Sequence, residues 1–221
     1  MRPCDARLDN MTDRIYDLVS QMEQAKRECI LVEAARAFAR FGFKKASIDE
    51  IAQKAGVAKG TVYLAAQSKE DLYYQVLNRE IRAWVADAAR GIDPRKPAGE
   101  LLAQLSQASF AYLESRPLLQ DLLFGRTFEL LPAWVDRLQE LRVLGNTNVV
   151  EVLRLGIRQG RFRPEIDVET VASLLGDLQL TGYVLYGRKR SLSDEVLVRR
   201  MQAGLDLVLH GLLATPTATA H

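Results

Sequence analysis

Apolar residues recur along this chain at steps of three and four. Ile30, Ala34, Phe38 and Phe41 form one such stripe, with Leu31 and Ala35 beside it. Tyr73, Val76, Leu77, Ile81, Trp84 and Ala88 form a second, and Leu101, Leu105, Ala108 and Tyr112 a third. Val171, Leu175, Leu178, Gly182 and Leu185 make a fourth, and Leu197, Met201, Leu205, Val208 and Leu212 a fifth. This spacing returns side chains to one face of a 3.6-residue helix, so it predicts amphipathic helices that each bury one face. The segment 133–159 is apolar more broadly, which predicts one long helix buried on several sides. Strict alternation, the mark of a half-buried strand, is nearly absent. The chain is therefore predicted to be all-α, with about nine helices.

Helix-breaking residues divide the stripes. Gly42 stands where a helix would end in a left-handed residue. Ser68 before Lys69, Glu70 and Asp71 is an N-terminal cap with acids in the first turn. Gly91, Pro94, Pro97 and Gly99 mark a connector, Pro117 and Pro132 helix boundaries, and Gly160 to Pro164 the end of the long segment. The resulting organisation is an N-terminal extension over 1–23, a small unit over 24–72, a larger helical body over 73–214 and a polar tail over 215–221. Within the extension, Ile15, Leu18, Val19 and Met22 predict an added helical turn or two, starting near Thr12.

Composition narrows the function classes. The chain has 221 residues, 48% of them apolar and 26% charged, which suits a folded domain with a sizeable core. Two cysteines, Cys4 and Cys29, make no disulfide framework and fit a reducing compartment. The only histidines are His210 and His221, which leaves no His-rich metal site and no conventional His-centred triad. No zinc spacing, nucleophile elbow or dinucleotide fingerprint is present, so neither an enzyme nor a cofactor is expected. The first ten residues are too polar for a signal peptide. The most membrane-like stretch, 168–187, is interrupted by Glu169, Asp177 and Gln179, so no membrane partner is expected. A soluble cytoplasmic protein is the expectation.

The most specific stretch is Ser47 to Leu72. Ser47 and Glu50 have the spacing of a capping box at a helix start. A short helix from Ile48 to Ala55 would bury Ile48, Ile51 and Ala52, Gly56-Val57-Ala58 would turn, and Lys59 to Leu64 would form a second short helix. That is the layout of a helix-turn-helix, whose second helix enters the DNA major groove N-terminus first. Lys59, Gly60, Thr61 and Tyr63 would be displayed there, offering cationic and hydroxyl groups to phosphates and base edges. Lys45, Ser47 and Lys69 complete the candidate DNA-contacting set.

Charge is concentrated in the same unit. The chain carries a net charge of only +2. From Lys26 to Lys69 there are nine Lys and Arg against four acids, a surplus of five. The extension from Met1 to Gln24 has three Arg against five acids, which argues against a basic arm in the minor groove. A local basic surplus on the unit with the motif is the electrostatic footprint of phosphate binding.

The run Phe41-Gly42-Phe43, Ser47-Ile48-Asp49-Glu50-Ile51-Ala52, Ala55-Gly56-Val57-Ala58-Lys59-Gly60-Thr61-Val62-Tyr63 and Ser68-Lys69-Glu70-Asp71-Leu72 resembles the DNA-binding domain of TetR-family bacterial regulators. Gly160-Arg161-Phe162-Arg163-Pro164, with Asp167 and Val168, is similar to a loop before the penultimate helix of many members. The sequence departs from the family pattern where members carry Thr at Ala46, Ser at Ala58 and His-Phe at Ala65-Ala66.

The resemblance implies a homodimer on a palindromic double-stranded operator, most often as a repressor, released by a small molecule bound in the C-terminal body. It assigns the last two helices to the dimer interface, where Ala172, Gly176, Leu197, Met201 and Gly204 would lie with Leu205, Val208, Gly211 and Leu212. Pocket candidates are Trp84, Phe110, Phe124 and Phe128, with Trp134, Leu175, Gln179 and Tyr183. Arg126, Asp177 and Gln179 are the polar groups to watch. The apolar bias suggests a hydrophobic or amphipathic effector. The competing reading is a dimeric small-molecule-binding or protein-interaction module with weakened DNA binding, suggested by Ala65-Ala66.

Overall fold

The computed structural model describes residues 5–123, 134–186 and 195–213. They form ten helices. In order these are α1 (Asp5–Lys45), α2 (Ile48–Lys54), α3 (Lys59–Ala65), α4 (Lys69–Ala89), α5 (Ala98–Glu114), α6 (Pro117–Leu123), α7 (Val135–Gly145), α8 (Thr147–Arg158), α9 (Val168–Tyr186) and α10 (Glu195–Leu212). The all-α class read from the spacing holds. No described helix is long and apolar enough to cross a membrane. The chain divides after Val76 into two compact units.

The first unit is built on the Ile30, Ala34 and Phe38 stripe of α1, all three essentially fully buried. Ile51 of α2, Val62 of α3, and Leu72 and Val76 of α4 join it in the interior. Phe38, Phe43 and Tyr73 supply its aromatic packing, with Phe38 and Tyr73 edge to face at 4.8 Å and Phe43 and Tyr73 at 5.2 Å. Such aromatic pairs add to plain area burial. Gly42 interrupts α1 at φ 71°. The turn after α2 is a Schellman motif. Val57 N–H donates to the Ala52 carbonyl at 3.0 Å and Gly56 N–H to the Gln53 carbonyl at 3.2 Å. Gly56 sits at φ 67°, a conformation that costs a residue with a Cβ.

One local expectation is revised here and another holds. Ser47 occupies the N-cap of α2, but its hydroxyl makes no cap bond, and Glu50 pairs with Lys54 at 3.4 Å instead. Ser47 is exposed, where water competes for the same donors. At α4 the expected cap is present, with Asp71 N–H donating to Ser68 Oγ at 3.1 Å.

The second unit packs α5, α8, α9 and α10 around Leu101, Leu102, Leu105, Val152, Leu153, Phe162, Ala172, Leu175 and Leu212. Pro97 cannot cap α5 with its side chain, and Gln159 does so from α8's end. Its Oε1 accepts from Ala98 N–H at 3.1 Å, and its Nε2 donates to the Lys96 carbonyl at 2.9 Å. Asp167 caps α9, accepting from Thr170 N–H at 3.0 Å and from its hydroxyl at 2.7 Å. Those two bonds, the backbone one first, hold its carboxyl below the usual carboxylate range.

The expected long helix over 133–159 is two helices, α7 and α8, divided at Asn146. Gly145-Asn146, a turn-type pair, stands at the break, although Asn146 keeps near-helical torsions (φ −84°, ψ −2°). α7 buries only Leu141, and α8 buries one face through Val152, Leu153 and Gly156, rather than being enclosed on several sides. After α8 the chain folds back. Phe162 N–H donates to the Gly156 carbonyl at 3.1 Å, and Arg163 N–H donates to the Leu212 carbonyl at 3.0 Å. The Phe162 ring lies directly on Gly156, where an added Cβ would come within 2.8 Å of Cγ.

Candidate nucleic-acid interface

α2 and α3 pack against one another and against α1. Ile51, Ala52 and Val62 turn inward, and this anchorage fixes which side of α3 is left open. Lys59, Gly60, Tyr63 and Leu64 face solvent, Tyr63 at 46% and Leu64 at 89% exposure. A Cβ built on Gly60 would meet nothing within 4 Å, so the backbone there is open to close approach. Thr61 is half-buried, and Lys45 and Ser47 are exposed nearby in sequence. Ala58, at the N-cap of α3, offers no side-chain cap. A large aromatic and a leucine held outward in the last turn of a short helix, with no packing reason for either, mark a surface that meets something else.

Two of the candidate lysines already have partners. Lys59 Nζ donates to Asp49 Oδ2 at 3.0 Å, and this hydrogen bond, with the attraction of the same carboxylate, raises the lysine's pKa. Lys69 Nζ donates to the Lys44 carbonyl at 3.1 Å and lies 4.9 Å from the centre of the Phe43 ring. Lys69 is thus fixed within the unit as a tie between α4 and the end of α1. Asp49, ten residues before Lys59, is a member of this surface that the motif alone did not single out.

The body contains a small cavity of about 40 Å³. Trp84, Leu175 and Gln179, three of the eight pocket candidates, line it together. Ser109, Asn146 and Asn148 add polar groups that sequence reading missed. Phe110 is half-buried and Trp134 is buried, and neither lines the cavity. Phe124, Arg126 and Phe128 lie outside the described residues, as does the side chain of Tyr183. Asp177 is exposed and paired with Arg142. Since a cavity needs roughly 10–15 Å³ to hold one water, this one takes a few waters.

The candidate interface residues divide. Ala172 and Leu212 are buried in the protomer's own core, and Leu205 and Val208 pack against it. Gly176 lines the cavity, and a Cβ there would come within 2.9 Å of Asn146 Oδ1. Gly204 and Gly211 face open space. The side chains of Leu197 and Met201 lie outside the described residues. The exposed apolar face lies one register away, with Leu174 and Leu178 on α9 and Val196 and Leu207 on α10, Leu207 at 76% exposure.

A helix-turn-helix with an outward-facing second helix, on a basic unit and followed by a separate helical body, defines a DNA-binding transcriptional regulator. The family pattern described as bacterial regulatory proteins, tetR family, matches residues 30–76. The HTH-type transcriptional repressor KstR2 of Mycolicibacterium smegmatis is 30% identical over 157 residues, covering 69% of this chain and 75% of that protein. The fatty acid metabolism regulator protein of Bacillus subtilis is 24% identical over 189 residues, covering 83% of this chain and 93% of that protein. Among solved structures, the regulator FadR of Bacillus subtilis in complex with stearoyl-CoA superposes with a TM-score of 0.63 at 22% identity, covering 84% of this chain and 98% of that one. The chain belongs to the TetR family of bacterial transcriptional regulators.

Proposed function

We propose that the chain is a ligand-responsive repressor that binds a palindromic operator as a homodimer, with α3 as the recognition helix. The observation that carries this reading is the open face of α3, where Lys59, Gly60 and Tyr63 stand free of the core while Val62 anchors the helix. In the major groove, Gly60 would let the backbone approach, Tyr63 would reach a phosphate or a thymine methyl, and Lys59 would exchange Asp49 for a phosphate. Lys45, Ser47 and Thr61 would bond the flanking backbone, and Lys69 would hold the unit's shape rather than touch DNA. A helix this short gains affinity and specificity by pairing across a two-fold operator. The second copy would dock through Leu174, Leu178, Val196 and Leu207, whose exposure on adjacent helices suits an isologous four-helix contact.

The effector in this reading is an amphipathic molecule with a long apolar part. The cavity's mixed lining supports it, with Trp84, Leu102 and Leu175 beside Ser109, Asn148 and Gln179. So does the stearoyl-CoA in the Bacillus subtilis FadR complex. At its present volume the cavity must widen to admit such a ligand, and α4, which carries Trp84, also carries Leu72 and Val76 of the DNA-binding unit's core. The test is selection of bound sequences from a random duplex pool by the purified protein, followed by release assays with acyl thioesters and other apolar carboxylate derivatives. An enriched palindrome is expected. Enrichment of no sequence at any salt concentration would overturn the reading in favour of a binding module without DNA recognition.

A further inference from the structure

α1 is far longer than its unit requires. Its core contribution begins at Ile30, yet the helix starts at Asp5, and every described side chain from Tyr16 to Cys29 is exposed. Tyr16, Leu18, Val19 and Met22 are between 49% and 71% exposed. The apolar residues of this arm are not scattered. Leu8, Met11, Ile15, Leu18, Met22 and Ala25 follow one another at steps of three, four, three, four and three. That is the a/d spacing of a coiled coil, sustained over about three heptads. At ~100° per residue, this stripe lies roughly a third of a turn away from the Ile30, Ala34 and Phe38 stripe that packs inward. It is therefore a second seam, separate from the face α1 uses for its own core.

We propose that this arm pairs with the same arm of a second copy of the chain as a short antiparallel coiled coil. Volume and charge select the partner and the direction. With Ile15 level with the partner's Leu18, the other layers join Met11 to Met22 and Leu8 to Ala25, so the smallest seam residue meets a large one. The flanking positions of that register set Arg7 by the partner's Glu28 and Asp5 by the partner's Lys26, opposite charges in both cases. A parallel pairing would stack Ala25 on Ala25 and bring Glu28 to Glu33. Two or three heptads make a weak coil in isolation. The contact therefore works by effective concentration, adding to association that another surface begins.

The test uses the full chain. Leu18→Glu places a charge on the seam at a site with no packing role in its own unit. In sedimentation velocity across the micromolar range, wild type is expected to show a higher weight-average mass than Leu18→Glu, with both melting alike. Combined with Leu207→Glu, which breaks the other exposed apolar face, the double variant is expected to be monomeric. Direction is read separately by disulfide trapping with Cys4 and Cys29 changed to Ser. Arg14→Cys and Gln21→Cys together should give a covalent dimer under mild oxidation, because these positions oppose one another in the antiparallel register. Either single variant should stay uncrosslinked. Equal masses for wild type and Leu18→Glu, or single variants that crosslink as fully as the pair, would overturn the proposal.

Discussion

Replacing Gly156 with Ala puts the packing of the body to a quantitative test. On an exposed helix the change would stabilise by up to ~1 kcal/mol, because Ala is the better helix former. Here the new methyl would overlap the ring of Phe162, whose Cγ lies 2.8 Å from the added carbon and which is only 2% exposed. The ring cannot slide freely, since Phe162 N–H is bonded to the Gly156 carbonyl and the next residue to Leu212. Overpacking of this kind costs ~1–3 kcal/mol, and losing the buried ring altogether ~3–5 kcal/mol. If the ring is driven out of its site, the propensity gain leaves a net expected loss of about 2–4 kcal/mol, or roughly 5–15 °C in melting temperature for a domain of this size. Both tryptophans, Trp84 and Trp134, lie in the body, so urea unfolding followed by their fluorescence reports this unit alone. In a Phe162→Ala background the clash is gone and the sign should invert, with Gly156→Ala now neutral or stabilising by up to ~1 kcal/mol. A cost that persists in that background, or no cost in wild type, would refute the packing argument.

The ion pair between Asp49 and Lys59 gives a second prediction. Asp49→Asn should tighten operator binding roughly two- to five-fold, the scale of an exposed pair, and steepen its salt dependence. Equilibrium binding at several salt concentrations checks this. Leu207→Glu should lower the association state by one step in sedimentation while leaving the helix content of the protomer unchanged by circular dichroism, because the side chain is three-quarters exposed in the protomer. Asp167 carries a pH prediction. Its carboxyl is held below the ordinary 3.8 by the Thr170 bonds, so its contribution is complete above that value and lost as pH falls through the lowered one. Asp167→Ala should therefore lower the body's melting temperature at neutral pH, with the difference narrowing as the pH falls below 3.8.

Much of this protein is legible locally. The Ile30, Ala34 and Phe38 stripe is core because helical spacing and burial are the same fact in a small unit. The turn at Gly56 is legible because only a few residues suit a Schellman end. What escapes the sequence is decided at a distance. α10 carries two apolar stripes one register apart, Leu205, Val208 and Leu212 on one side and Val196 and Leu207 on the other, and only the packing of α9 and α5 decides which is buried. Gly145-Asn146 marks the break between α7 and α8, but Asn146 keeps near-helical torsions, and a lone Gly is also tolerated inside a helix, so the pair does not force the division. Ser47 has the capping-box spacing but no cap bond, since spacing permits such a bond without enforcing it. The role of Asp49 depends on the turn that brings α2 beside α3, and the role of Lys69 on where α1 ends. Phe162 stood in a recognisable Gly-Arg-Phe-Arg-Pro run, and its burial on Gly156 follows only from the fold-back after α8.

The most direct measurement is fluorescence anisotropy of the purified full chain titrated onto its selected duplex and onto a scrambled one, over a range of salt concentrations. With Lys45 and Lys59 of each protomer on phosphates, about four charge contacts per dimer, the log–log slope for the selected duplex should be about −4. Tyr63→Ala should weaken that complex by ~1–3 kcal/mol and leave the scrambled duplex nearly unaffected. Equal affinity for the two duplexes, or a Tyr63→Ala variant that binds as wild type does, would contradict the assignment of α3 as the recognition helix.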